Sequence, residues 1–383
     1  MIAIIELYQH DEVIRHYYNL LKKSDHKVKI FCSYTVYQML ADLHNQPSFE
    51  WIVQAGSQSI PDFLKSNYPL IRAAKLVFIT TALNNFKAFY QLSTINKTIL
   101  LVHNAHSFLA PQFFLALNGF NILDRLRWLK ITLNRSHFYK KQLLQNLAGL
   151  IFPTEIILQY VKNHFDLPTP LQLVTLPFAT YRQPPAVTSK NKITITIPCT
   201  VISEQRDYGL VLTAIKKISK DLTKEIHLVL LGQPKGDGEK IITAFHKIEG
   251  PEIKVTSFSK TIPLQTYENW LKATNFLILP LKQYGKNHIY EEQLGYSKIS
   301  GGVNDMIRFG VPALIPDYYP LEAQLEKMVE RYDSDQLANK ILYWVNQNKY
   351  SIYRATVPAT LADYYPQKMQ IDFNEKINLF LKD

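Results

Sequence analysis

The sequence predicts an α/β protein built from two Rossmann-like domains, and three observations carry that prediction. At 383 residues the chain exceeds what one hydrophobic core of roughly 100–200 residues usually spans. Short apolar runs alternate almost throughout with helix-length amphipathic segments, as βα units around mainly parallel sheets require. A break reading LPFATYRQPPAVTSKN at 176–191, with three prolines and little apolar periodicity, separates two such series.

In the first series, residues 2–6, 27–32, 51–54, 76–80, 98–103, 149–152 and 171–175 read as strands, with helices between most of them. The second has strands at 193–197, 227–231, 253–256, 276–279 and 313–315. Domains are therefore expected at 1–178 and 190–350. Beyond Lys349 a Tyr-rich stretch containing proline, 351–366, interrupts the pattern before a last helix at 368–381. The segment 351–383 is expected to cross back to the first domain.

Apolar residues at 47%, with 23 Tyr and 20 Phe, supply a sizeable core and exclude a disordered chain. The two cysteines, Cys32 and Cys199, lie far apart in or beside strand-like runs, which suits free thiols in a reducing compartment. The N-terminus enters a strand at once, with no basic and apolar leader pattern. The expected location is cytoplasmic.

The net charge of +11 is concentrated. Residues 63–154 hold eleven Lys or Arg and one acid, Asp124, a net of +10. Such a block attracts phosphate-bearing partners. Within it, 98–123 has no formal charge, includes SFLAPQFFLALNGF and is followed by LDRLRWLKITLNRSHFYKK. His103, Asn104, His106 and Pro111 interrupt the uncharged part too often for a spanning helix. A segment lying on a membrane is expected instead, with Arg125, Arg127, Lys130, Arg135, Lys140 and Lys141 meeting the phosphates of anionic lipid at the inner face of the cell membrane. Nucleic acid is not expected, because the basic block is mixed with apolar runs and carries no nucleic-acid motif.

The second half resembles the donor-binding domain of GT-B glycosyltransferases over roughly 193–349. ITIPCTVISEQRDYGLVLTAI is similar to that family's opening strand, small-residue loop, basic residue (Arg206) and helix. HLVLLGQPKGDG resembles its second strand and glycine turn, YENWLKATNFLILPL the helix and strand before the sugar-binding loop, and SGGVNDMIRFGVPALIP the loop, helix and next strand. The resemblance implies a GT-B fold, two Rossmann-like domains facing a central cleft, and a nucleotide-sugar as substrate. Retaining members often carry two glutamates eight positions apart. Alignment on Gly310 and Pro312 puts Asp305 at the second and Ser297 at the first, with Glu291 and Glu292 upstream.

A departing diphosphate needs its charge matched, and Lys or Arg with backbone N–H groups at a helix start can do so without a metal. Lys298, Ser300, Gly301 and Gly302 offer these together, and Arg206 offers a second cation. Asp305, a turn further on, is placed to accept from a ribose. The turn from Gly232 to Gly238 fits neither phosphate-loop pattern and reads as a connection bordering the nucleotide. Asp333 and Asp335 precede a helix at 336–345 and read as its cap, so no metal or other cofactor is expected.

In the first half His103, Asn104 and His106 follow a strand, where loops face the ligand crevice of a parallel sheet. This resembles the family's acceptor-side histidine loop. His103 is the candidate general base, with Asn104 and His106 as acceptor or sugar contacts. The loop YQHDEV after the first strand is the alternative, with Glu12 or His10 as base. The function expected is transfer of a sugar to a lipid-linked or growing glycan acceptor. A nucleotide-sugar epimerase and a non-catalytic partner of an active transferase share the fold, and the absent first glutamate favours the latter.

Overall fold

The computed structural model describes residues 1–8, 10–22, 24, 26–109, 122–182, 192–287 and 289–382. Residues 110–121, within the uncharged stretch, and 183–191, within the expected linker, lie outside these. The chain divides into two compact units: Met1–Phe178 with Asn287–Glu292 and Pro366–Asp383, and Ala179–Lys286 with Gln293–Tyr365.

The first unit holds a parallel seven-stranded sheet of β1 (Ile2–Glu6), β2 (Val28–Ser33), β3 (Phe49–Gln54), β4 (Leu76–Ile79), β5 (Thr98–Leu101), β6 (Gly149–Phe152) and β7 (Gln172–Thr175), in the order 3-2-1-4-5-6-7. Strand β1 is central, Ile2 pairing with Val28 on one side and Leu76 on the other. Its five residues are all buried, as a strand covered on both faces demands. The helix Pro366–Leu381 closes this unit. Met369, Phe373, Ile377 and Phe380 form its buried stripe, spaced to share one helix face, and Phe373 lies 5.7 Å from Tyr17 between ring centres.

The second unit has a parallel six-stranded sheet of β8 (Lys192–Pro198), β9 (Glu225–Leu231), β10 (Ile253–Thr256), β11 (Phe276–Ile278), β14 (Ala313–Pro316) and β15 (Val329–Tyr332), in the order 10-9-8-11-14-15. Two further short strands, β12 (Tyr284–Asn287) and β13 (Tyr290–Gln293), lie outside that sheet. Two features differ from the sequence reading. Residues 351–366 are not a break: Tyr350–Thr360 is a helix that carries Pro358 near its end and buries Tyr350, Val357 and Thr360. It belongs to the second unit, so the segment joining the first begins at Pro366. The short piece Asn287–Glu292, inside the second half of the sequence, belongs to the first unit.

Candidate active site

In the first sheet β1 pairs with β4 and β4 with β5. The loops leaving the carboxyl ends of these three strands therefore lie side by side, where an open α/β sheet binds ligands. Glu6, the last residue of β1, ties them together. Fully buried, its carboxylate accepts hydrogen bonds from Tyr8 N at 2.8 Å, Thr80 Oγ1 at 2.7 Å and Thr81 Oγ1 at 2.5 Å. The Tyr8 hydroxyl then donates to Asn84 O at 2.8 Å. The sequence reading passed over Glu6, although an acid ending the otherwise apolar string IAIIE was a signal.

This scaffold brings His10, Glu12 and His103 together. The His10 and His103 rings stack with centres 4.5 Å apart and planes 13° from parallel. His103 Nε2 donates to Thr80 O at 2.8 Å, and His10 Nδ1 donates to Glu12 Oε1 at 3.2 Å. The second bond leaves His10 Nε2 as the nitrogen that carries a lone pair when the ring is neutral. Burial alone would lower the His10 pKa, but the hydrogen bond to Glu12 and the charges of Glu12, Glu6 and Asp11 raise it. Asp11, a second residue missed from sequence, is pushed up to about 6 by burial and then by Glu12. His10, His103, Thr81 and Asn104 line a cavity of about 950 Å³.

His106 has other work. Its Nδ1 donates to Glu291 O at 2.6 Å and its Nε2 accepts from the Tyr160 hydroxyl at 2.8 Å. Glu292, fully buried, accepts from His106 N at 3.1 Å, Ser107 N at 2.8 Å and Ser107 Oγ at 2.6 Å. It holds the start of the helix Ala105–Leu109.

The six basic residues read as a membrane contact do not act alike. Arg125, Arg135 and Lys141 are exposed. Arg127 and Lys130 are also exposed, and both line the cavity. Lys140 departs from the expectation: it is 6% exposed, with Nζ donating to Ser107 O at 3.1 Å. It follows the helical phase of Leu143 and Leu147, both buried, and so points inward.

In the second unit the loop after β8 and the helix Gly301–Phe309 meet at Cys199. The Arg206 guanidinium and Cys199 interact electrostatically, and a Cβ added at Gly301 would come 3.1 Å from Cys199 Sγ. Arg206 is 7% exposed and donates to Thr200 O at 3.2 Å; no carboxylate among the described residues pairs with it. Ser300 Oγ caps the helix by accepting from Gly302 N at 3.3 Å. A Cβ at Gly302 would lie 2.8 Å from Leu279 Cδ2, so a side chain there would have to displace Leu279. At Gly232 a Cβ would sit 1.9 Å from Cys199 O, so the turn after β9 is glycine to let two backbones touch. Lys298 is half-buried.

Asp305 is turned into the domain. It is 4% exposed, accepts from the Tyr267 hydroxyl at 2.6 Å and lies 3.7 Å from Arg308 Nη1. Asp333 Oδ1 accepts from Asp335 N and Gln336 N at 3.1 and 2.9 Å, ahead of the helix Leu337–Asn346. Among the described residues no three His, Cys, Asp or Glu side chains group to hold an ion.

No family model matches the chain, and no curated protein matches its sequence. Solved structures do match. Sucrose-phosphate synthase from Thermosynechococcus elongatus superposes with a TM-score of 0.64 at 12% identity, over 99% of both chains. HepE from Anabaena, in complex with UDP, gives 0.62 at 11% identity, over 98% of this chain and 99% of that one. The apo lipopolysaccharide outer core galactosyltransferase WaaB gives 0.58 at 11% identity, over 98% and 99%. These likenesses run the length of both partners, and with the two parallel sheets they establish that the chain has the GT-B fold.

Proposed function

We propose that the chain is a glycosyltransferase that moves a sugar from a nucleotide-sugar donor to a lipid-linked or growing glycan acceptor, at the cytoplasmic face of a membrane and without a metal. Arg206 carries the reading. A buried guanidinium that no described carboxylate neutralises, beside the glycine start of a helix, is the charge pattern a diphosphate completes. Two HepE structures hold UDP, one with glucose, and the pneumococcal O-GlcNAc transferase GtfA holds UDP and GlcNAc. Lys298 is the second cation in this reading, and His10, oriented by Glu12, is the base on the acceptor hydroxyl. His103 packs against His10 and Asn104 contacts the acceptor.

The test is titration calorimetry against a panel of nucleoside diphosphates and nucleotide-sugars in EDTA-containing buffer. One nucleotide should bind, and Arg206→Ala should weaken it about 10–100-fold, the worth of a charge-assisted hydrogen bond. If no nucleotide binds, or if Arg206→Ala leaves the affinity unchanged, the donor-site reading fails.

The membrane part of the proposal rests on the helix Ile122–Leu133. Ile122, Leu126, Leu129 and Leu133 are 75%, 58%, 47% and 72% exposed, and their spacing places them on one face. Arg125 and Lys130 flank that stripe, which is the layout of an interfacial helix. No helix among the described residues is long and apolar enough to cross a membrane. The protein should sediment with anionic vesicles more than with neutral ones. Each Lys or Arg near such a surface contributes about 1 kcal/mol, so the triple variant Arg125→Glu, Arg135→Glu, Lys141→Glu should lose roughly 100-fold in partitioning. Equal sedimentation with neutral vesicles would refute the electrostatic contact.

A further inference from the structure

The cavity of the first unit has a charge pattern that sugar transfer does not by itself require. Lys65, Lys87, Arg127, Lys130 and Lys140 line it, and its described lining contains no Asp or Glu. Four of these cations are exposed, as surface cations commonly are. Lys140 is different. Buried in the wall, it meets the Ser107 carbonyl and lies 5.4 Å from the Tyr290 ring centre and 5.9 Å from that of Phe86, with no carboxylate among the described residues paired to it. Burial pulls its pKa down to about 8, which leaves it charged at neutral pH and without a counter-charge from the described residues.

Two residues of the same wall also hold buried polar atoms. Both ring nitrogens of His137 and Oδ1 of Asn104 are buried and make no hydrogen bond to a described residue; both residues line the cavity. Burial, and then the charge of Lys140, hold His137 down at about 4. The ring is therefore neutral, with one N–H to donate and one nitrogen to accept. Buried charges are ordinarily paired, so a buried cation that no described carboxylate neutralises, in a wall lined by four further cations, is a charge pattern that an anionic ligand completes. That ligand brings negative charge and several acceptor oxygens to Lys140 and the cations around it.

We infer that this cavity binds the phosphate of a phosphate-bearing acceptor, with Lys140 as the buried contact and Arg127 and Lys130 meeting the remaining charge. The inference rests on the transferase reading and adds the acceptor's chemical class to it. Phosphate fits better than a carboxylate because several cations converge on one cavity, and a phosphate offers them more charge and more oxygens. The phosphate can belong to a soluble sugar phosphate or to a lipid carrier; the chemistry recognised is the same.

The experiment measures binding of inorganic pyrophosphate, glucose 1-phosphate and glucuronate to the full chain saturated with UDP. A parallel arm uses neutral vesicles with and without a polyprenyl phosphate. Wild type should bind the phosphates and not glucuronate, and Lys140→Met should weaken phosphate binding about 10–100-fold while UDP affinity stays constant. Should Lys140→Met fail to fold, the exposed pair Lys65→Gln and Lys130→Gln should give a smaller loss in the same direction. Binding confined to the soluble arm assigns a soluble acceptor, and binding confined to polyprenyl phosphate vesicles assigns a lipid carrier. Phosphate affinity that both variants leave unchanged, or glucuronate bound as tightly, overturns the inference. UDP binding reports separately on the transferase reading.

Discussion

Replacing His10 by Ala should lower kcat about 10²–10⁴-fold, the range over which a positioned general base acts, while affinity for the donor nucleotide is unchanged because the proposed donor site belongs to the other unit. The ring is oriented for the role. Its Nδ1–H is held by Glu12 at 3.2 Å, so Nε2 is presented to the cavity, the arrangement by which a carboxylate fixes a histidine base in its working tautomer. The pH dependence follows from the direction of its shift. Burial lowers the His10 pKa, the Glu12 bond and nearby carboxylates raise it more, and the net value lies above 6.5. A base works in its neutral form, so kcat/KM should rise with pH through that raised value. Stability runs the other way: the pair contributes fully below the unfolded value of about 6.5 and loses its contribution as pH climbs through the folded one. Glu12→Gln removes the main raising influence, so the acidic limb should move to lower pH and the plateau should fall. An unchanged kcat in His10→Ala would take the base role from His10 and leave His103 to be tested by the same profile.

That assignment was only half readable beforehand. The strands of both sheets stand out because central parallel strands are buried on both faces and appear as unbroken apolar runs such as LVFI and GLIF. Strand β15 reads VERY, with a half-exposed middle, and such an edge strand carries no run to detect. His10, Glu12 and His103 were each visible as residues at strand ends. Their meeting was not, because it depends on β4 lying between β1 and β5, a crossover order that spacing does not encode. Lys140 and Lys141 are chemically identical neighbours in the string HFYKKQLL. Only helical phase separates them, and the buried Leu143 and Leu147 were the available clue. Asp305 met the spacing expected for a ribose contact, but its side chain is occupied by Tyr267, a partner 38 residues away that no local pattern announces.

Glu6→Ala should cost about 3–5 kcal/mol, because it strands several buried donors at once and each buried group left unpaired costs roughly 1–3 kcal/mol. The carboxylate is the joint acceptor for Tyr8 N and the hydroxyls of Thr80 and Thr81. Thr80 also bonds to Ile5 O at 3.0 Å through its hydroxyl, so part of its donor capacity survives, and the loss stays below the sum of three. Glu6→Gln keeps one carbonyl oxygen for these donors but turns an amide N–H₂ toward another, and so should recover only part of the stability. The consequence extends beyond the core. Thr80 O is the acceptor that holds His103, and Tyr8 bridges to Asn84 in the cavity wall, so the loops that carry His10, Thr81 and His103 lose their common anchor. Activity should therefore fall in Glu6→Gln by more than its folded fraction accounts for, while nucleotide binding at the site proposed in the second unit persists. Urea unfolding followed by tryptophan fluorescence separates the effects, since Trp51 and Trp128 report on the first unit and Trp270 and Trp344 on the second. A shift confined to the first pair is expected. An unfolding midpoint in Glu6→Ala equal to that of wild type would show that the three hydrogen bonds do not hold the strand ends together.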